Sequence, residues 1–447
     1  MYERQETRVF VIGAGIAGLA AADVLRDAGM AVTLFESAGD VGGRIRSIRF
    51  HGQDIECGAQ FLLSGYRYVL PLLRRYQLGL RVREFTRRTA LERGGRLHRV
   101  DFRRPWSLAS SGLLSWRELT RMTIGGASLA WHGRAINPSH YASLSNLDDV
   151  EADHFCQRKL GVAASRYVVE AMVHGFFFHR LSGSSRALIA AMMKFGADQA
   201  LTIMGGWQAL PRAMAARLVV HTRAPVEAML EKPDHVEVRV NGEWQRADLA
   251  VLATPASVSR ELMAAATVPE QAVLRAEYAA TVHIALALRT GWQPPPGVAG
   301  IYGALLAPAE DAVLAGLTLE SERFPGSGSD SEVLSVMLRD EAARAMASYA
   351  DAELIRAVMP SLERHFPDLR DAVVSAHIQR WSAAEPLSPV GRARAIACYR
   401  ASLAPDRRVV LAGDYLGSPW TDGAAETGLW AAHHVLRRSA PEAIRAG

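Results

Sequence analysis

The chain has 447 residues, of which 49% are hydrophobic and 22% are charged, a balance typical of a large globular protein and not of a disordered or fibrous one. Its net charge of +5 comes from arginine, since Lys159, Lys194 and Lys232 are the only lysines, and no nucleic-acid-binding motif accompanies that charge. We therefore expect two domains and no nucleic-acid partner. No apolar run reaches the roughly 18 residues of a membrane-spanning helix.

The cysteines and the start of the chain indicate a compartment. Cys57, Cys156 and Cys398 are widely spaced and form no C-x-x-C pair, which predicts neither a disulfide framework nor a zinc site. We expect no metal. A strand-like run begins within about ten residues of Met1, which leaves no room for a signal peptide. The interpretation is a cytoplasmic protein.

The most informative stretch runs from Arg8 to Ser47. Val9–Ile12 is a short apolar, β-branched run that predicts a buried strand, and the pattern G-x-G-x-x-G follows at Gly13, Gly15 and Gly18. Glycines at this spacing allow a tight turn, close approach of the backbone to a pyrophosphate, and close packing of helix on strand. The phosphates would then lie at the N-terminus of the following helix.

A second strand and an acid complete this unit. The run 31–35 predicts the strand, and Glu36 at its end is placed to hydrogen-bond a ribose hydroxyl. Gly42 and Gly43 let the backbone pass close to a ligand, and Arg44 supplies a forked cation for phosphate. The sequence therefore predicts an α/β, Rossmann-like dinucleotide-binding domain.

The pattern GAGIAG…FES…GGRIRS resembles the N-terminus of the FAD-dependent amine oxidase superfamily, which includes monoamine oxidases, protoporphyrinogen oxidases and phytoene-type desaturases. The resemblance implies an FAD-binding domain interleaved with a discontinuous substrate domain of mixed sheet and helices. We expect residues 1–85, 205–265 and 395–447 in the first, and residues 86–204 and 266–394 in the second. The flavin-linking cysteine of monoamine oxidases has no counterpart here, so non-covalent FAD is expected.

Three further segments resemble cofactor-binding parts of that family. They are Ile55–Phe61, which would pass under the flavin, the strands of 219–255, read as a β-meander that covers the adenosine, and 409–436, a strand, an acid and a helix opening at Gly423. The N-terminus of that helix would stabilise negative charge on reduced flavin. By this resemblance FAD would be held by Gly13, Gly15, Ile16, Ala17, Gly18, Glu36, Ser37, Gly42, Gly43, Arg44, Gly58, Ala59, Gln60, Phe61, Val226, Ala253, Thr254, Pro255, Trp381, Gly413, Asp414, Gly423, Ala424 and Ala425.

Two residues are candidates for the catalytic side, Trp420 and His283. Trp420 stands where related amine oxidases carry one aromatic of a flavin-facing cage, and simple packing of its loop is the alternative. The run 281–288 alternates like a half-buried strand. In many amine oxidases the corresponding strand presents a lysine that holds a water near the flavin, whereas here His283 lies in that region. The aromatic run Phe176–Phe178 is predicted to belong to the core.

Residues 85–135 differ in composition, since they are rich in arginine and the tryptophans Trp106, Trp116 and Trp131 are scattered through them. Within them, residues 100–135 are read as a helical excursion that faces a membrane or a partner. The run 116–131 predicts an amphipathic helix with a basic side, which is typical of helices that lie on membrane surfaces. Peripheral contact at the inner membrane surface is one hypothesis, and packing within the substrate domain is the other. Both a monomer and a homodimer are compatible with the sequence.

The run 378–391 has the form W-x-x-x-x-P-x-x-x-x-G and resembles the protoporphyrinogen oxidase and desaturase branch. We therefore expect an FAD-dependent oxidase or desaturase, in a biosynthetic pathway, that transfers hydride from a C–H next to N or C of a bulky, largely apolar small molecule onto flavin N5 and leaves C=N or C=C. A second nucleotide motif is absent, which favours O2 as the electron acceptor. The alternatives are an amine or amino-acid oxidase with a partial aromatic cage, and a flavin-binding protein without turnover.

Overall fold

The structure of the protein, a computed structural model, describes residues 6–86, 88–104, 106–132, 136–196, 198–323 and 331–439. Residues 440–447 of the predicted FAD-binding part therefore lie outside the described residues. Within these ranges, twenty strands and sixteen α-helices alternate along the chain. The predicted domain boundaries remain a prediction, and the sheets below are described one by one.

The strands are β1 (Arg8–Ile12), β2 (Ala31–Phe35), β3 (Ser47–Phe50), β4 (Gln53–Glu56), β5 (Leu62–Leu63), β6 (Val82–Phe85), β7 (Arg88–Arg93), β8 (Arg96–Asp101), β9 (Ala200–Ile203), β10 (Val219–His221), β11 (Val226–Glu231), β12 (Val236–Val240), β13 (Glu243–Ala247), β14 (Leu249–Leu252), β15 (Tyr278–Leu288), β16 (Gly303–Leu305), β17 (Leu314–Leu319), β18 (Val333–Leu338), β19 (Val373–Pro386) and β20 (Val409–Leu411).

The helices are α1 (Ile16–Asp27), α2 (Val69–Arg75), α3 (Trp106–Ser110), α4 (Trp116–His132), α5 (Ala152–Leu160), α6 (Val162–Ala164), α7 (Ala171–Phe177), α8 (Arg186–Lys194), α9 (Ala209–Ala215), α10 (Ala256–Leu262), α11 (Val268–Leu274), α12 (Asp340–Ala345), α13 (Asp351–Glu363), α14 (Leu369–Ala372), α15 (Arg392–Ser402) and α16 (Thr421–Ser439).

A five-stranded parallel sheet, in the order β10-β2-β1-β14-β20, contains the first motif at its centre. Both faces of β1 are buried: Val9 and Val11 pack into one hydrophobic core with α1 and α16, while Phe10 and Ile12 pack into another. This explains the unbroken apolar run, since a parallel strand is covered on both sides. The crossover topology confirms the predicted Rossmann-like class.

Helices α1 and α16 lie against each other closely enough to require a small residue. A Cβ atom added to Gly428 would lie 2.0 Å from the Ala17 carbonyl oxygen. The contact joins the N-terminal motif to the C-terminal helix, although the two are about as far apart in sequence as the chain allows. Helix α16 therefore packs directly on the first helix of the dinucleotide-binding motif.

The predicted meander over 219–255 needs correction. The antiparallel three-stranded sheet is formed by β11, β12 and β13, and the third of these strands was not predicted. Strand β10 instead forms an edge of the parallel sheet, and β14 lies beside β1 in its interior. Apolar, β-branched runs look alike in both settings, and only their pairing partners distinguish them.

A mixed seven-stranded sheet, in the order β19-β15-β18-β17-β16-β7-β8, forms the second large layer. Its strand β15 was expected to be half-buried, yet all eleven residues are buried. One face, including Ile284 and Leu286, packs into a hydrophobic core, and on the other face Thr281 and His283 line an internal cavity. The alternation was correct, but its polar face meets a cavity and not bulk solvent.

Helix α4 covers the predicted amphipathic run. Trp116 and Ile124 on it are 71% and 70% exposed, and Gly125 lies against α5, where an added Cβ would be 2.2 Å from the Lys159 carbonyl oxygen. Contact with a membrane surface remains a prediction. Among the helices that the structure describes, none combines the length and apolar character needed to cross a bilayer.

Candidate active site

A cavity of about 930 Å³ runs past the carboxyl ends of β1, β2, β14 and β20 and across one face of the seven-stranded sheet. The carboxyl edge of a parallel sheet is where ligands bind in doubly wound folds. The two regions of the cavity differ in character. The region at the parallel sheet is lined by glycine-rich backbone, and the region at the mixed sheet is lined by aromatic and apolar side chains.

The glycine-rich region has the geometry of a phosphate site. Gly13 turns the chain with a φ of +102°, and its N–H donates to the Phe35 carbonyl at 2.8 Å. Gly15 precedes α1, and a Cβ added to it would meet no atom within 4 Å because that position faces the cavity. The first N–H groups of α1 have no partner within the helix, as at any helix start. Ile16 and Ala17 there line the cavity and can present N–H groups to an anion.

Glu36 is held rigidly at the end of β2. Its Oε2 accepts a hydrogen bond from the Ala14 N–H and its Oε1 accepts one from the Ala38 N–H, each at 2.8 Å. The backbone oxygen of Glu36 also accepts from the Ala224 N–H, which brings the start of the meander, including Val226, to the same wall. The carboxylate is therefore fixed in orientation while it still lines the cavity.

The second glycine segment is tied to the C-terminal part of the chain. Arg44 donates to Asp414 Oδ2 at 2.5 Å and to the Ala384 carbonyl at 2.8 Å. Trp381 donates from Nε1 to the Cys57 carbonyl at 2.7 Å and lies beside Gly58, where no side chain fits. Arg44 is thus paired with a carboxylate, although the sequence had suggested a phosphate partner for it.

Aromatic rings enclose the other region, which we call the aromatic chamber. Trp420 packs edge-on against Phe195 with ring centroids 5.1 Å apart, and its ring centroid lies 6.3 Å from that of Phe177. The indole Nε1 of Trp420 is buried and has no hydrogen-bond partner among the described residues. The chamber is lined chiefly by Phe61, Phe176, Phe177, Phe195, Tyr302 and Trp420.

The run Phe176–Phe178 was assigned to the core from the sequence. The structure places Phe177 in a buried hydrophobic cluster and all three rings along the cavity. Helix α7 ends at Phe177, and the next residue, Phe178, adopts a left-handed conformation with a φ of +67°. That turn directs consecutive rings to the chamber wall, an effect that sequence periodicity does not reveal.

His283 lies on β15 and lines the cavity, and it is 1% exposed. Neither ring nitrogen has a hydrogen-bond partner among the described residues. Burial, together with the charges of His377 and Arg323, lowers the pKa of His283 to about 3. The imidazole is therefore neutral and offers one donor and one acceptor to a ligand in the chamber.

An ion cluster behind the chamber was not predicted. Arg323 is 1% exposed, pairs with Glu320 at 3.0 Å, and donates to the Tyr302 hydroxyl and to the Gln60 carbonyl, both at 2.5 Å. Tyr302 and Gln60 line the cavity, so Arg323 fixes two polar groups of its wall. In the sequence Arg323 stands in a polar, glycine- and serine-rich run that reads as a surface loop, and no local signal marks it.

Most of the predicted residues line this cavity, and the exceptions are Gly18, Gly423 and Ala425. A Cβ on Gly18 would lie 1.9 Å from the Gly13 carbonyl oxygen, so this glycine serves packing of helix on turn. Helix α16 begins at Thr421, before the predicted start, and Gly423 packs against the Ser418 carbonyl. Ala425 is fully buried in the core.

The protein should lose stability in acid, because two of its histidines are buried. Burial lowers the pKa of both His174 and His283 from 6.5 to about 3, so the unfolded chain binds protons that the folded chain does not bind. The free energy of unfolding should fall as the pH drops below 6.5, by the order of 3 kcal/mol per histidine at pH 4. Denaturant unfolding at pH 7 and pH 4 measures this loss. His283→Asn should reduce the loss, and an unchanged loss would contradict the assignment.

The chain resembles known flavin-dependent enzymes along nearly its whole length. The model of the family described as flavin containing amine oxidoreductase matches residues 16–436. The flavin-dependent L-tryptophan oxidase RebO of Lentzea aerocolonigenes is 24% identical over 97% of this chain and 98% of its own length. The zeta-carotene desaturase of Solanum lycopersicum is 30% identical over 37% of this chain and 30% of its own length.

A solved structure shows the same fold. The putative protoporphyrinogen oxidase from Exiguobacterium sp. 255-15 superposes with a TM-score of 0.74, at 18% identity, over 96% of this chain and 99% of that protein. Among the described residues, no group of three or more His, Cys, Asp or Glu is arranged to hold a metal. Since the family model covers nearly the whole chain, the protein belongs to the flavin containing amine oxidoreductase family and is an FAD-dependent oxidoreductase.

Proposed function

We propose that this enzyme oxidises a bulky, largely apolar small molecule by two electrons, at a C–H next to N or C, and leaves C=N or C=C, with O2 as the electron acceptor. The aromatic chamber carries this proposal. It is lined by rings such as Phe176, Phe195 and Trp420 and is continuous with the glycine-rich region, so a ligand there would lie beside a cofactor in the same cavity. A largely apolar substrate gains most from such walls.

FAD fits the polar region of the cavity in this proposal. The open space in front of Gly15 admits a pyrophosphate, and the fixed carboxylate of Glu36 accepts hydrogen bonds from ribose hydroxyls. Gly58 and Trp381 line the part of the cavity where a flat ring system would lie. When bound, FAD supplies the two-electron acceptor. Arg44 and Asp414 would hold the part of FAD between its two ends.

The chamber residues orient the substrate and exclude water. The unpartnered indole N–H of Trp420 and the neutral imidazole of His283 are the polar groups available to a substrate heteroatom. Because His283 is neutral, it can accept a hydrogen bond from an amine without repelling a cation. Its low pKa makes it a poor base, so it positions the substrate and does not remove a proton.

A second candidate is oxidation of an aromatic amine or amino acid. The full-length match to a flavin-dependent L-tryptophan oxidase favours it. Oxidation next to nitrogen needs no separate base for a neighbouring C–H, because the nitrogen lone pair compensates the departing hydride. This agrees with the weak basicity of His283.

Anaerobic reduction of the purified holoenzyme distinguishes these candidates. Aromatic amines, aromatic amino acids, porphyrinogens and polyenes are added separately, and loss of the visible flavin absorption is followed. Bleaching by the amines or amino acids assigns C–N oxidation, and bleaching only by the last two assigns C–C oxidation. Admission of O2 should restore the absorption and form one peroxide per turnover. A holoenzyme that none of these classes reduces would contradict the proposal.

Trp420→Ala should slow flavin reduction by about 10- to 100-fold, because it opens the wall against which the substrate is oriented. Bound FAD per chain should remain unchanged. The matched control is Trp116→Ala, since Trp116 is 71% exposed and does not line the cavity. Stopped-flow reduction measures both variants. Equal rates in the two would show that Trp420 only packs its loop.

A further inference from the structure

Three ionisable side chains meet where β19 passes the end of β20. Glu385, on β19, lines the cavity together with Arg44 and Asp414. Its neighbour Ala384 accepts a hydrogen bond from Arg44 through its carbonyl oxygen, so the strand and the arginine are joined directly. The resemblance to known cofactor motifs did not include Glu385.

Of the two carboxyl groups that line the cavity beside Arg44, only that of Asp414 bonds to it. Arg44 Nη1 lies 2.5 Å from Asp414 Oδ2, and the Tyr278 hydroxyl lies 3.3 Å from Asp414 Oδ1. Arg392 is the other nearby arginine, and it donates to Ser388 and to two backbone oxygens. Within the described part of the chain, the carboxyl of Glu385 forms no side-chain hydrogen bond or salt bridge.

These surroundings favour the protonated form of Glu385. Burial raises its pKa well above the usual range of a glutamate, and the charge of Asp414 raises it further, against the opposing effects of Arg44 and Arg392. Two neighbouring carboxyl groups that share one cation do not both ionise readily. Since Asp414 holds the cation, Glu385 keeps the proton.

We propose that Glu385 stands in the cavity as a neutral carboxylic acid and donates a hydrogen bond to the bound FAD. Glu385 is half-buried, and the cavity is the direction in which its O–H group is open to an acceptor. This inference rests on the proposed position of FAD. It adds a donor beside Arg44 and Asp414, which are paired with each other.

Measuring how tightly apoprotein variants bind FAD tests whether Glu385 donates a hydrogen bond to the cofactor. Glu385→Gln retains an N–H donor and carries no charge, so its dissociation constant for FAD at pH 7 should stay within about twofold of the wild type. Glu385→Ala lacks a donor and should bind FAD about tenfold more weakly. Weakening by Gln equal to that by Ala would show that a carboxylate is required. Wild-type affinity in Glu385→Ala would show that there is no contact.

Thermal unfolding of the apoprotein tests whether Glu385 is protonated in the folded state, and it does so without the cofactor. The folded state keeps a proton that the unfolded chain releases above about pH 4.3, so wild-type stability should fall as the pH rises from there toward the raised pKa. Glu385→Gln has no such proton. Its Tm should equal that of the wild type at pH 4 and exceed it by the order of 2 °C at pH 8.

Glu363→Gln is the control, because Glu363 lies on the surface with Arg370 and its pKa is lowered. Its Tm should not rise above that of the wild type at pH 8. Equal Tm values for Glu385→Gln and the wild type at pH 8 would overturn the protonated state. Wild-type apoprotein that takes up no FAD would instead overturn the proposed cofactor position, and the unfolding result would stand independently.

Discussion

Gly15→Ala is expected to weaken FAD binding about 100-fold while the apoprotein stays as stable as the wild type. The φ of Gly15 is −69°, which alanine adopts without strain, and the added Cβ would touch no protein atom within 4 Å. The methyl group would therefore occupy only the space proposed for the pyrophosphate. Titration of the apoprotein with FAD measures affinity, and thermal unfolding measures stability.

Gly18→Ala is the matched control, three residues along the same motif. Its Cβ would lie 1.9 Å from the Gly13 carbonyl oxygen, so backbone must move and the free energy of unfolding should fall by about 2–4 kcal/mol. Substitution of Gly15 thus tests the space left for a ligand, and substitution of Gly18 tests the packing of the helix on the turn. If Gly15→Ala bound FAD as tightly as the wild type does, the proposed position of the pyrophosphate would be contradicted.

Arg323→Met should lower the free energy of unfolding by about 3–5 kcal/mol, because it removes the cation from a buried cluster. Glu320 would be left with a buried charge, and the buried Glu56, whose pKa is already raised to about 7 by burial, would lose the charge that now lowers that pKa. Tyr302 would lose its donor at the chamber wall. Denaturant unfolding at pH 8 measures the change.

Arg370→Met provides the comparison. Arg370 pairs with Glu363 at 2.8 Å on the protein surface, where solvent screens the charges, so its loss should leave the free energy of unfolding almost unchanged. A similarly small effect for Arg323→Met would show that the buried cluster does not support the chamber. Partial rescue by Arg323→Lys would indicate that the charge, more than the forked geometry, is required.

The dinucleotide-binding unit was predictable from the sequence because its parts are close along the chain. Strand β1, the turn at Gly13 and Gly15, helix α1 and Glu36 lie within thirty residues, and each has a local conformational or hydrogen-bonding reason for its type. The resemblance carried by these residues and by the C-terminal helix was enough to assign the family and FAD, both of which the comparisons confirm.

The aromatic chamber was not predictable in this way. Phe177 satisfies the pattern of a core residue and also lines the cavity, and β15 keeps its alternation while its polar face meets a cavity. Periodicity reports which residues share a face of an element, but it does not report what that face meets. His283 was noticed only through the family resemblance.

Local patterns of residues were enough to predict the fold class, the cofactor and the turn that would receive phosphates. Which partners the buried arginines meet depends on the fold: Arg44 bonds to Asp414 across 370 positions, and Arg323 bonds to the Gln60 carbonyl across 263. Such pairs have no signature in sequence because a buried charge is stabilised by whichever partner the fold brings to it. The proposed protonation of Glu385 depends on the pairing of Arg44 with Asp414. The polar part of the chamber wall depends on the bonds of Arg323 to Tyr302 and Gln60.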